Sequence, residues 1–427
     1  MLNQNIIVIV HNQKEQFIQW LNVIADNIEI NWSQFVIVDN CSNDGLNEIL
    51  KDTDFNYVFC EEQESYAAII NTVVSEFVME DTVYVTSPKY TFDFNIIQKL
   101  NEVLKKEKFM AVSPVGADAG ILFEYWKSYD LNPMCILYDV DTMKKLGMFD
   151  ENLITSENVL LDYIFRGVNE KRFAAQCYFK QIKDNFCEKY STYGIQEKEH
   201  DREVLKQKWN MNYFNTMPNK GLVYMMQSKP DENINVLEVG CDCGANLLAI
   251  QNAYRNAKLY GVEINEDAAK IASNIFNVQI GNIEDENLKF GDIVFDYIIF
   301  GDVLEHLHSP EKVINYCKSM LKKDGRIIAC IPNLMHYSVM KDLINGNFTY
   351  SDMGLLDRTH IHFFTYNEII RLFKDAGYEI ENIASVGGIE HERDKELVKS
   401  LLSISSGAEE HMFTTFQYLV SVVKNGK

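Results

Sequence analysis

The sequence predicts an α/β protein made of two doubly wound domains, and three observations carry that prediction. Short apolar runs without polar alternation, of the kind buried on both faces of a parallel sheet, recur between segments of helical periodicity. Two of these runs end in stacked turn formers, Asp39-Asn40-Cys41-Ser42-Asn43-Asp44-Gly45 in the first half and Gly240-Cys241-Asp242-Cys243-Gly244 in the second. That pattern marks the ligand end of such a sheet. The 427 residues exceed one ordinary core, and a polar, tyrosine-rich stretch, 190–219, closes in the turn cluster Met217-Pro218-Asn219-Lys220-Gly221. The expected division is a domain over 1–195, a helical linker over 196–219 and a second domain over 220–427.

In the first half, Asn5-Ile6-Ile7-Val8-Ile9-Val10 reads as a buried strand, 14–28 as a helix, and Phe35-Val36-Ile37-Val38 as a second strand running into the 39–45 turn. Further on come Ser65-Tyr66-Ala67-Ala68-Ile69-Ile70-Asn71, the strand Val83-Tyr84-Val85, and Leu146-Gly147-Met148-Phe149-Asp150-Glu151. In this order the pieces resemble the family 2 glycosyltransferases. The resemblance implies a Rossmann-like domain of the GT-A fold that takes a nucleotide sugar, with Asp39 and Asp44 contacting the nucleoside and shaping the turn.

Three departures accompany it. After the strand 83–85 the family places a metal-holding aspartate, whereas the chain reads Thr86-Ser87-Pro88-Lys89-Tyr90. Where an acidic catalytic pair is expected, Ser156-Glu157-Asn158-Val159-Leu160-Leu161-Asp162 leaves Glu157 and Asp162 as isolated candidates, and Lys180-Gln181-Ile182-Lys183-Asp184 stands where a metal-ligand histidine belongs. Mg²⁺ and Mn²⁺ on a diphosphate need hard oxygen ligands, which lysine does not supply. The expectation is a degenerate, non-catalytic domain, with Asp39 the remaining substrate-binding candidate and loop capping its alternative. An enzyme that uses Lys89 in place of metal stays open.

In the second half, strands over 236–239, 258–264, 278–280, 297–300 and 327–331 alternate with helical segments, which means a parallel doubly wound sheet. Glycines in the first turn let a ligand approach the backbone, and Glu263 ends the next strand, where a carboxylate can grip a ribose diol. Together they outline a nucleoside site. The signal continues through Gly281-Asn282-Ile283-Glu284, Gly301-Asp302-Val303-Leu304-Glu305-His306-Leu307 and Leu321-Lys322-Lys323-Asp324-Gly325-Arg326. In that order it resembles the class I S-adenosylmethionine-dependent methyltransferases. The resemblance implies a second Rossmann-like domain with a closing antiparallel hairpin, its last strand over 413–423, and S-adenosylmethionine as cofactor. Carried over residue by residue, it puts Gly240 and Gly244 at the methionyl part, Glu263 on the ribose, Asn282 and Ile283 around the adenine, and Asp302 and Glu305 beside the sulfonium, with Glu238 a further cofactor-binding residue.

Methyl transfer needs a base only where the acceptor keeps a proton, and histidine suits that work near neutral pH. His306 follows Glu305, and Asp357-Arg358-Thr359-His360-Ile361-His362-Phe363-Phe364-Thr365 supplies two more histidines before a helix cap. A similar string recurs in methyltransferases related to those acting on glycans and quinones. His306 and His360 are the candidate bases. If 360–362 is strand-like, His360 and His362 share a face, and no third metal ligand is evident, so no metal is expected. The long connection 333–356 reads as an acceptor lid, with Tyr337 and His362 as substrate-binding candidates. His308 is expected at the surface.

A net charge of −22 disfavours nonspecific nucleic-acid binding and docking on an anionic membrane. The nine cysteines form no Cys-x-x-Cys pair, a reduced pattern, and the single residue between Cys241 and Cys243 does not suit zinc. No apolar run reaches membrane-spanning length and no secretory leader opens the chain, so a cytoplasmic protein without membrane insertion is expected. The sequence leads to a methyltransferase acting on a sugar or sugar-linked acceptor. A bifunctional glycosyltransferase and methyltransferase, or a non-enzymatic ligand-binding protein, are the alternatives.

Overall fold

The computed structural model describes residues 4–25, 31–51, 53, 55–90, 93–116, 124–179, 194–211, 215–288, 290–389 and 391–424. The chain divides into two compact units, Met1–Thr216 and Met217–Lys427.

The first unit carries strands β1 (Asn5–Val10), β2 (Phe35–Asn40), β3 (Asn56–Cys60), β4 (Thr82–Thr86), β5 (Ala111–Val115), β6 (Tyr125–Lys127), β7 (Cys135–Asp139) and β8 (Ala174–Tyr178) in the order β3-β2-β1-β4-β7-β5-β8-β6. β1 to β4 are parallel, whereas β7 runs antiparallel to both β4 and β5. Every residue of β1 and of β2 is buried, which is why both read as unbroken apolar runs. The expected helix over 14–28 is Lys14–Ala25, and its last residues lie outside the described ones. So does the 180–184 segment.

The turn after β2 is tied by its own acids. Asp39, wholly buried, accepts from the Ser42 N–H at 2.9 Å, and Asp44 accepts from Lys14 N–H at 2.8 Å and Leu46 N–H at 3.2 Å. These bonds hold the starts of two helices to the sheet, the capping role weighed above. Asp162 is occupied too. Fully buried on the helix Ser156–Asn169, it accepts from Arg166 Nε at 2.9 Å and Trp209 Nε1 at 3.0 Å, and lies 2.9 Å from Lys208 Nζ. A carboxylate saturated by three donors is a structural anchor, so it does not stand as an isolated catalytic candidate.

Lys208 and Trp209 show what the polar 196–219 stretch does. It forms the helix Ile195–Trp209 of the first unit. Asp201 on that helix is wholly buried and accepts from Ile154 N–H and Thr155 N–H at 2.8 Å each and from Thr155 Oγ1 at 2.7 Å. It thereby caps the start of Ser156–Asn169 from another element. Only Asp201 and Leu205 of this helix are buried, so its sequence carries almost no apolar stripe.

The second unit carries β9 (Asn235–Val239), β10 (Lys258–Glu263), β11 (Asn277–Ile280), β12 (Phe295–Gly301), β13 (Leu321–Pro332), β14 (Tyr378–Val386) and β15 (Gln417–Lys424) in the order β11-β10-β9-β12-β13-β15-β14. β9 to β13 are parallel, and β15 inserts antiparallel between β13 and β14. This is the expected doubly wound sheet with its closing hairpin. The last strand begins at Gln417 rather than 413 because Glu410–Thr414 forms a helical turn. Leu237, Val239, Ile298, Phe300, Ile327, Ile331 and Val420 from its strands meet in one core. No helix among the described residues is long and apolar enough to cross a membrane, and none of the eight described cysteines is in a disulfide.

Candidate functional site

The strand order reverses between β9, which leads outward to β10 and β11, and β12, so a crevice opens beyond their carboxyl ends. Two turns meet there. Gly240, at φ +70°, lies against the loop after β12, and a Cβ on it would come within 2.6 Å of Val303 Cγ2. Only glycine permits that approach. The turn continues through Asp242, itself at φ +46°, to Gly244 at φ +88°, where the helix Ala245–Ala253 starts.

Two buried glutamates on adjacent strands organise this turn. Glu263, ending β10, accepts from Asp242 N–H at 2.8 Å and Asn265 N–H at 2.7 Å. One oxygen thus holds the strained turn and the other starts the next helix; burial raises its carboxyl, and those two bonds partly offset the rise. Glu238 on β9 accepts from Asn246 Nδ2 at 2.7 Å through Oε1, while Oε2 has no hydrogen-bond partner among the described residues. Burial pushes the Glu238 carboxyl up to about 8. The turn offers a buried oxygen without a donor, clustered carboxyl groups and left-handed backbone at a helix start. S-adenosylmethionine, with its ammonium and sulfonium cations and its ribose diol, fits that donor set.

Asn282 and Ile283 lie beyond β11, but their side chains are engaged in structure. Asn282 Oδ1 accepts from Glu284 N–H at 3.0 Å, and Ile283 is buried in the sheet core, which leaves their backbone to frame a base.

Asp302 and Glu305 follow β12 and differ sharply. Asp302, at φ +56°, faces the open mouth and accepts from Gln417 Nε2; the surrounding walls push its carboxyl up to about 6. Glu305 is 1% exposed, and neither of its carboxyl oxygens has a hydrogen-bond partner among the described residues. Burial, with Asp302 nearby, raises its carboxyl well above the ordinary range.

The histidine string comes to Glu305 through the backbone. The Glu305 carbonyl accepts from both Ile361 N–H and His362 N–H at 3.0 Å. That places the His360 ring against the His306 ring, with centroids 4.8 Å apart, and His360 Nε2 at 4.0 Å from Glu305 Oε1. His306 Nδ1 donates to the Thr359 carbonyl at 3.1 Å and His360 Nδ1 to the Leu355 carbonyl at 3.3 Å. A carbonyl can only accept, so in the neutral rings both Nε2 atoms carry the lone pair. Burial, and His306 beside it, hold His360 below the usual histidine range. Glu305, His306 and His360 each bring one potential ligand atom within 4.8 Å of the others, a trio different from the His360–His362 pair considered from the sequence.

His362 does not join them. The segment is not a strand, and the His362 ring turns to the His308 carbonyl at 3.4 Å and packs near Phe364. Tyr337 is also away from the cluster. Buried with Val398, Leu401 and Phe413, it fixes the base of the helix Tyr337–Ile344. His308 is exposed, as expected, and pairs with Glu284. The connection 333–356 starts in that helix and continues as an exposed loop, whose Phe348 and Tyr350 stack with Phe363. Asn246 and Gln417, which hold Glu238 and Asp302, carried no sequence signal.

The sheet order and the glycine–glutamate turn define a class I methyltransferase domain. Residues 217–383 match the family model described as "Methyltransferase domain". The second unit is an S-adenosylmethionine-dependent methyltransferase domain, and S-adenosylmethionine is its cofactor. Among relatives, the chain is 29% identical over 137 residues to an uncharacterized protein of Methanocaldococcus jannaschii, covering 32% of this chain and 62% of that one. It is 22% identical over 159 residues to the ubiquinone biosynthesis O-methyltransferase of Chromobacterium violaceum, covering 36% and 67%. A solved S-adenosylmethionine-dependent methyltransferase from Archaeoglobus fulgidus aligns at a TM-score of 0.34 with 19% identity, covering 52% of this chain and 94% of that one.

Proposed function

We propose that the chain transfers a methyl group to an oxygen of a hydroxyl-bearing acceptor, and that this acceptor is a sugar or sugar-linked group. The observation that carries the oxygen-transfer reading is the Glu305–His306–His360 cluster beside the cofactor turn, with lone pairs on both Nε2 atoms. The cofactor supplies an electrophilic methyl carbon. Glu238 and Glu263 bind and orient it, the Gly240–Val303 contact keeps its turn against the loop that bears Glu305, and a neutral imidazole takes the acceptor proton at Nε2.

The sugar reading is supported by the first unit. Its mixed sheet, with β7 antiparallel between β4 and β5, is in keeping with a GT-A-like domain. Its commitment of Asp39, Asp44 and Asp162 to internal bonds favours a binding domain over a glycosyltransferase. A second reading takes a phenolic oxygen as acceptor, since one relative is a ubiquinone biosynthesis O-methyltransferase.

Radiolabelled S-adenosylmethionine incubated with the full chain and two acceptor panels, nucleotide and free sugars against catechols and hydroxyquinols, separates the readings. Label in a sugar is the expected result. Label confined to phenols would overturn the sugar assignment and keep the methyltransferase one.

A further inference from the structure

We propose that Glu305, His306 and His360 form a site for a first-row divalent transition-metal ion, whose remaining coordination positions hold oxygen atoms of the acceptor. This deepens the reading of the acceptor site and rests on it only for what the cation holds: with the ion bound, both Nε2 lone pairs are committed to it, and the ion in place of an imidazole would ease loss of the acceptor hydroxyl's proton to water.

Two independent observations carry the inference. The first is Glu305, a carboxyl group 1% exposed whose two oxygens have no hydrogen-bond partner among the described residues. A buried carboxyl group without a partner is costly in either protonation state, since buried polar groups are normally hydrogen-bonded and buried charges are paired or coordinate metals. His360 Nε2, 4.0 Å from Glu305 Oε1, carries no proton in the tautomer fixed by Leu355.

The second is the orientation of the two rings. Each donates Nδ1–H to a main-chain carbonyl, His306 to Thr359 and His360 to Leu355, which leaves the lone pair on Nε2 of each ring and brings His360 Nε2 to 4.0 Å from Glu305 Oε1. An imidazole held through its other nitrogen by a carbonyl is the arrangement that fixes a metal-binding histidine and raises its basicity. The backbone is braced in the same way, since the Glu305 carbonyl takes the N–H groups of both Ile361 and His362.

The donor set chooses the ion. Two imidazole nitrogens and one carboxylate suit manganese, iron, cobalt or zinc, whereas Mg²⁺ prefers oxygen ligands throughout. The ligand atoms lie within 4.8 Å of one another. Ligands about 2.1 Å from a shared ion stand roughly 3–3.5 Å apart, so closing the site takes side-chain shifts of about an ångström.

Mn²⁺ tests this directly, because it has little affinity for the chain's thiols. The full chain, stripped with chelator and desalted, is titrated with MnCl₂ while the electron paramagnetic resonance signal of free Mn²⁺ is followed. One bound ion per chain is expected, displaced by Zn²⁺, with affinity weakened at least about tenfold in Glu305→Gln and His360→Ala. His308→Ala, at an exposed histidine outside the cluster, should bind as the unchanged chain does. Circular dichroism melts show that each variant is folded, and calorimetry with S-adenosylmethionine on the unchanged chain separates failure of metal binding from failure of the methyltransferase reading.

Absence of bound Mn²⁺ and Zn²⁺, or undiminished binding by both variants, would overturn the proposal. Where a variant does not fold, Mn²⁺-induced broadening of the His306 and His360 ring signals in the unchanged chain decides: broadening supports the site, and unperturbed signals refute it.

Discussion

Replacing Glu263 by alanine should have two separable effects, because its two oxygens hold the turn while the carboxylate faces the expected ribose. The structural effect comes from the N–H groups of Asp242 and Asn265, which donate to it at 2.8 and 2.7 Å. Leaving a buried donor unsatisfied costs about 1–3 kcal/mol, so the pair amounts to roughly 2–6 kcal/mol. For a domain of this size each kcal/mol moves the midpoint by about 2–4 °C, which gives a fall of roughly 4–24 °C in Tm. The binding effect is the loss of a charge-assisted hydrogen bond, about 1.5–3 kcal/mol, or a weakening of S-adenosylmethionine binding by roughly 10- to 150-fold. Differential scanning calorimetry of the full chain measures the first, and titration calorimetry with S-adenosylmethionine well below Tm measures the second. An unchanged Tm would refute the capping argument. Equal affinities in the folded proteins would refute the ribose assignment even if Tm fell.

Glu238, pushed up to about 8 by burial, stays protonated in the folded chain while its unfolded counterpart ionises near 4.3. The folded state therefore binds the extra proton between those values, and stability falls as pH rises through that window by up to about 1.4 kcal/mol per unit. Urea melts at pH 5, 6.5 and 8 should show Glu238→Gln losing less stability than the unchanged chain, and parallel losses would contradict the assignment. Single-turnover methylation by His306→Ala or His360→Ala should slow by about 10²–10⁴-fold with S-adenosylmethionine affinity nearly intact; rates unchanged in both would remove the cluster from the chemistry. Asp201→Ala should destabilise the first unit by on the order of 3 kcal/mol, since two N–H groups and a hydroxyl lose a charged acceptor, and an unchanged denaturation curve would show that the cap is dispensable. UDP-, GDP- and dTDP-sugars should show no Mn²⁺-stimulated turnover, and clear stimulation would mean that the first unit is an active glycosyltransferase.

Local order along the chain was enough to determine the cofactor half of the second unit. Strand, glycine turn, helix start and strand-end glutamate are consecutive, so the run from Glu238 to Glu263 carries its geometry in its spacing. The turn at 39–45 was legible for the same reason. Contacts between distant segments were not. Asp201 reads as one more charge on a solvated helix, yet it holds the cap residue Thr155 of another helix, 46 positions earlier. The acceptor side shows the limit most clearly. An alternating strand pairs His360 with His362, but one Glu305 carbonyl binds two successive N–H groups of that segment, breaks the alternation and turns only His360 inward. His306 and Thr359 are 53 positions apart, and no local pattern encodes that they touch. Tertiary packing alone decided that a buried glutamate and two histidines share one site, because the Thr359 and Leu355 carbonyls hold the two rings and the Glu305 carbonyl holds the 361–362 backbone.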